Sequence, residues 1–140
     1  MKNISRIALF AIAALIMGAG ARAQNHTVHA TIPFDFALGG NLFPPGSYSI
    51  TTEASSQLIL LQNNKTHLAG MTVSQHDLNG SRKDCLLVFN RYGNRYFLKG
   101  IRCAGASMNL KLFTSKAEQR ARTQEASLGG KVHTIAALRY

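Results

Sequence analysis

The chain has 140 residues, with 16 Lys and Arg against 6 Asp and Glu, a formal net charge of +10, and two cysteines. That length suits a single domain built on one core and excludes two ordinary ones, while six carboxylates leave little material for a catalytic pair or triad. The basic balance points to anionic partners, such as phospholipid head groups, lipopolysaccharide or acidic polysaccharide.

Residues 1–23 read as a secretory signal peptide. Lys2 and Arg6 precede the apolar run Ile7 to Met17, and Ala21-Arg22-Ala23 meets the small-x-small rule for cleavage. A second cut, after Ala19-Gly20-Ala21, would move the start by two residues. The run is short for a bilayer span and no cysteine follows it, so no transmembrane anchor or lipid attachment is expected. Loss of Lys2, Arg6 and Arg22 lowers the net charge from +10 to +7. Export to the periplasm or the outside medium leaves nucleic acid the least expected partner.

The segment 26–38 alternates Val28, Ala30, Ile32, Phe34 and Phe36 with polar or small neighbours, the period of a strand with one buried face. Pro33 has no N–H to donate, so this is an edge strand or one broken at Ile32-Pro33. Gly39-Gly40-Asn41 and Pro44-Pro45-Gly46 read as turns, and a strand follows from Ser47 to Thr52. Leu58 to Leu61 reads as a fully buried strand, with Thr66 to Ser74 as its hairpin partner. Asp77 to Asp84 is the most polar stretch and reads as a loop.

Cys85 to Cys103 is a β-hairpin: two apolar and aromatic runs around Gly93-Asn94. A two-residue type II′ turn at Gly93-Asn94 would set Phe89 opposite Leu98 and Cys85 opposite Arg102. A three-residue loop, Gly93 to Arg95, would set Cys85 opposite Cys103 and permit a disulfide. The two registers compete, since a slip of one residue sends the sulfurs to opposite faces unless a bulge restores the phase. With an export signal present the Cys85–Cys103 bond is the favoured reading, at about 3 kcal/mol in the chain-entropy model.

Beyond Cys103 the segment AGASMN is loop-like, and Leu110 and Phe113 would anchor a short extended piece. Ser115 to Gln124 predicts a basic surface helix, with Ser115 and Glu118 forming a capping box. Gly129-Gly130 ends it, and Val132 to Leu138 has the composition of a closing strand. The elements together predict a mainly β fold over residues 24–140: a single small antiparallel β-sandwich or open barrel with one short C-terminal helix.

At PFDF (Pro33 to Phe36), FPPGSYSI (Phe43 to Ile50), LVFNRYGNRYFL (Leu87 to Leu98) and TSKAEQR (Thr114 to Arg120) the chain resembles a family of small exported proteins of unassigned function, numerous in acidobacterial genomes. The resemblance implies a signal peptide and one β-rich domain, and brings no activity, cofactor or catalytic residue with it. The family pattern lacks cysteines at Cys85 and Cys103, which implies a disulfide peculiar to this chain.

No cluster has metal-ligand spacing: His26 and His29, three apart, would face opposite sides of a strand. Cleavage after Ala23 would expose Gln24-Asn25-His26, a terminus able to chelate Cu(II) unless Gln24 cyclises. Serines lie in no Gly-x-Ser-x-Gly elbow, and the cysteines lack Cys-x-x-Cys spacing. No cofactor and no catalytic residue is assigned. The candidate binding surface is the hairpin tip, where Arg91, Tyr92, Arg95 and Tyr96 offer two guanidinium groups and two phenols to sugars or phosphate-bearing glycans. The expected function is a non-enzymatic β-domain that binds an anionic glycan, a lipid head group or an envelope protein. The alternatives are an extracytoplasmic enzyme of unrecognised type and strand exchange through the edge at residues 26–32.

Overall fold

A computed structural model describes residues 25–53, 57–77, 85–103 and 109–138. The signal segment, both cleavage sites, the Gln24 terminus and most of the polar loop before Cys85 lie outside the described residues. Within them the chain is mainly β, with one helix near its C-terminal end. The strands are β1 (Asn25–Ile32), β2 (Phe36–Leu38), β3 (Asn41–Phe43), β4 (Gly46–Glu53), β5 (Leu58–Asn63), β6 (Ala69–His76), β7 (Leu86–Tyr92), β8 (Arg95–Arg102), β9 (Leu110–Leu112) and β10 (His133–Leu138). The helix α1 spans Lys116–Ser127.

The strands form one open sheet, in which β1-β4-β5-β6-β9-β8 follow one another by antiparallel ladders. On one edge β8 carries β7, and β7 carries β10. The opposite edge of β8 is shared. Residues 96–97 pair with β2, in a parallel ladder, and residues 100–101 pair with β9. Pro33 ends β1 as expected, and the chain resumes as β2, a strand that hairpins with β3 through Gly39-Gly40. The segment 41–43 reads as a turn from its Asn and its neighbouring Gly and Pro, yet it pairs with β2 and buries Phe43.

Because the sheet curls, side chains from both its halves meet in one core. Ile32, Phe36, Phe43, Tyr48, Ile50, Ile59, Leu61, Phe89 and Ile101 are fully buried there. Phe36 is the hub: its ring lies 5.5 Å from Phe43, 5.3 Å from Tyr48 and 5.5 Å from Phe89. Such contacts add about 0.5–1.5 kcal/mol each beyond the area they bury. Gly70 on β6 faces the same core, where an added Cβ would stand 2.5 Å from the Phe43 ring.

Two expectations are corrected by this curvature. β5 is half-buried: Ile59 and Leu61 point inward while Leu60 stands outward, 39% exposed. Its outer face and that of β6 carry Leu60, Met71 and Val73, all exposed. An apolar run cannot tell a strand covered on both faces from one covered on a single face. Phe113 is also exposed, and Leu112 joins Leu110 as the second anchor of β9.

The hairpin register combines two features that compete in a regular ribbon. The loop is the two-residue turn Gly93-Asn94, and only Gly93 takes a positive φ, +57°, the pattern of a type II′ turn. Tyr92 pairs with Arg95 and Phe89 with Leu98. The ladder then skips Lys99, so that Val88 faces Gly100 and Leu86 faces Arg102. This bulge moves Arg102 away from Cys85, and the disulfide joins Cys85 to Cys103. The three-residue loop is therefore unnecessary: the extra residue sits in β8 and not in the turn.

Candidate functional site

The four residues of the hairpin tip do not form one grip. Cross-strand pairing puts Arg91 with Tyr96 and Tyr92 with Arg95, and adjacent pairs point to opposite faces. On one face the Tyr96 ring stacks on Phe34 at 4.2 Å, with the Arg91 guanidinium 5.7 Å from its centroid. Arg91 Nε also donates to the Gly93 carbonyl at 2.7 Å. On the other face Tyr92 is buried against Phe97 at 5.7 Å, and Arg95 lies 5.6 Å from the Phe97 centroid. Arg95 and Tyr96 border a cleft of about 340 Å³ shared with Asp35, Leu42 and Ala117. In that cleft Arg95 is the one cation among the lining residues.

The face that holds Tyr92 and Phe97 is covered by α1. Ser115 caps the helix, accepting from the Glu118 backbone N–H at 3.1 Å. At the far end Gly129, at φ +72°, donates to Ala126 O and Gly130 to Glu125 O, a Schellman closure. Ala117 and Ala121 pack on Tyr92 and Phe97. Glu118 is buried, and instead of serving only the cap its Oε1 accepts from Asn90 Nδ2 at 2.9 Å and from the Tyr92 hydroxyl at 3.3 Å. Burial, reinforced by the Glu118 charge, pushes the Tyr92 phenol above its ordinary pKa of 10.0. Burial likewise raises Tyr48, whose hydroxyl donates to the Pro44 carbonyl. Neither phenol lines a described cleft, and both act as fasteners of packed elements.

The cations converge farther along the same outer face, beyond the helix. Lys99, Arg102 and Lys111 border a hollow of about 130 Å³, with Val88, Gly100 and Asp77 completing its lining. Lys99 Nζ donates to Thr114 Oγ1 at 2.7 Å, and Arg102 Nη2 to Asp77 Oδ2 at 3.0 Å. Gly100 is required here because an added Cβ would stand 2.6 Å from the Leu110 carbonyl oxygen, and β9 could not pair so closely. The sequence signal for this group was the pair Lys99 and Arg102. It was hidden by their spacing of three, which on a regular strand separates them.

No family model, curated protein or solved structure matches the chain. The chemistry must therefore be read from the residues. His26 and His29 do stand on opposite faces of β1, His26 with the inward set and His29 exposed beside Ser49. His26, Glu53 and His76 border a narrow hollow of about 30 Å³, but no group of three His, Cys, Asp or Glu among the described residues is placed to hold a metal ion. Among the described residues no helix is long and apolar enough to cross a membrane. Lys99, Arg102 and Lys111 thus place three cations beside one carboxylate, Asp77, around a single hollow.

Proposed function

We propose that this protein is an exported, non-enzymatic β-domain that binds an anionic envelope or extracellular surface through the disulfide end of the β7-β8 outer face. The observation that carries this reading is the convergence of Lys99, Arg102 and Lys111 around one hollow, with Asp77 the single carboxylate of its lining. Cations gathered on one face, on a chain whose formal charge is +7 once Lys2, Arg6 and Arg22 leave with the signal segment, raise the local concentration of anionic partners and orient the domain toward them. The exposed Lys116 and Arg120 of α1 extend the basic surface.

The test is co-sedimentation with vesicles of neutral lipid, anionic lipid and lipopolysaccharide across a salt series. Binding is expected only to the anionic surfaces, and it should weaken as ionic strength rises and the screening length shortens. Salt-insensitive binding, or none, refutes the reading. The export half is tested by intact-mass spectrometry of the protein from its native host: a chain beginning at Gln24 and two hydrogens lighter than the dithiol supports it, and one retaining residues 1–23 with free thiols opposes it.

A further inference from the structure

Lys99 and Arg102 reach the same hollow because of the bulge that skips Lys99 in the ladder. In regular alternation, Leu98 inward would set Ile101 outward and Arg102 inward. The observed shift instead buries Ile101 and Cys103 and turns Arg102 toward Asp77 on the outer face. Packing accounts for Ile101 and the disulfide accounts for Cys103. The packing of those two residues turns position 102 outward, but it does not require that cations occupy 99, 102 and 111 around one small hollow. Bulges commonly re-aim side chains beside functional sites, and here one aims a third charge at two others.

We propose that the hollow binds a phosphomonoester group, an inference that rests on the anionic-surface reading above and names the chemistry it recognises. Three cations and Asp77 leave two net positive charges, which match the charge of about −1.5 to −2 on a monoester phosphate at neutral pH. The hollow of about 130 Å³ falls below the ~300 Å³ at which sites for whole small molecules begin, and exceeds the ~30 Å³ share of a water. A hollow of that size accommodates a single tetrahedral anion. Donors remain for it. Lys99 spends one hydrogen on Thr114 and keeps two, and the Arg102 fork keeps N–H groups beyond the one given to Asp77.

The experiment compares the purified protein on phosphatidylcholine vesicles brought to equal surface charge with phosphatidic acid, a monoester, or phosphatidylglycerol, a diester. Binding to phosphatidic acid is expected to be about tenfold tighter, as charge-assisted hydrogen bonds to the extra oxygen would give. Lys111→Gln and Lys99→Gln should each reduce that preference, and the double variant should bind both lipids equally with an unchanged unfolding midpoint. Competition by millimolar inorganic phosphate would extend the site to the free anion, and preference without competition would restrict it to a head group. Both outcomes support a phosphomonoester site. Equal binding of the unmodified protein to the two lipids overturns it and leaves the anionic-surface reading standing. Failure to bind either vesicle removes both.

Discussion

Toward its turn the outer face of the β7-β8 hairpin is roofed by α1, and toward its disulfide the same face carries the hollow bordered by Lys99, Arg102 and Lys111. Under the roof a single carboxylate, Glu118, is buried between Asn90 and Tyr92, and the Arg95 guanidinium lies over the Phe97 ring. Toward the disulfide three cations border a hollow in which Asp77 is the one carboxylate among the described lining residues. Charge in the roofed half is spent on internal hydrogen bonds, so that half holds the fold. The cations toward the disulfide outnumber the one carboxylate among the described lining residues of their hollow, and the proposed anion site rests on that surplus.

The strongest way to break this division is to replace Cys103. Cys103→Ser removes the bond to Cys85 and should cost about 3 kcal/mol in the chain-entropy model. Urea unfolding should show that loss, and thiol titration one reactive thiol. Unchanged stability would refute the assignment. Deleting Lys99, by contrast, removes the extra residue itself: Val88 still faces Gly100, so the bond should persist. A smaller effect is expected under the helix. Glu118→Ala leaves Asn90 and Tyr92 without their buried acceptor and should cost about 1–3 kcal/mol in denaturant unfolding. Loss of hydrogen-exchange protection confined to α1 would show that the carboxylate pins the helix.

Tyr92→Phe should cost about 1 kcal/mol at neutral pH, and it carries a pH signature. The folded phenol titrates above the unfolded value of 10.0, so its contribution is complete below about pH 10 and is lost as pH rises through the folded value. The alkaline decline in stability should therefore be shallower in Tyr92→Phe than in the unmodified protein. At the bottom of the scale, Lys111→Ala in the half toward the disulfide should change stability by no more than about 0.5 kcal/mol. A large loss there would place Lys111 among the structural residues and erase the contrast between the halves.

The sequence made most of the strands legible, since period-2 patterns at Val28 to Phe36 and turn residues at Gly93-Asn94 are local signals. The helix was legible at both ends, through Ser115 with Glu118 and through Gly129-Gly130. Three matters were not. The strand at 41–43 exists because β2 pairs with it, and Leu60 faces solvent because no layer among the described residues covers the outer face of β5. Glu118 declared itself as a capping residue, while its second partnership with Asn90 and Tyr92 depended on where the helix docks. The candidate site followed the same logic. Arg91, Tyr92, Arg95 and Tyr96 are neighbours in sequence, and strand alternation splits them between two faces. Lys99, Arg102 and Lys111 look scattered, and a bulge and a ladder gather them. Registers and bulges are set by long-range pairing, which a local pattern does not encode.

The shared edge of β8 also governs the order in which the chain can fold. This strand is complete only when β2, from far upstream, and β9, from downstream, have both arrived beside it, with β7 on its other edge. β2 therefore has no partner but β3 until β8 is made, and β7, paired with β8, gains its second neighbour β10 only at the end of the described chain. Such non-local pairing makes folding slow and keeps early strands exposed. The hairpins β4-β5-β6 and β7-β8 can close as they are made, but the two halves of the sheet join only when β8 and β9 have arrived, and β10 completes the β7 edge last.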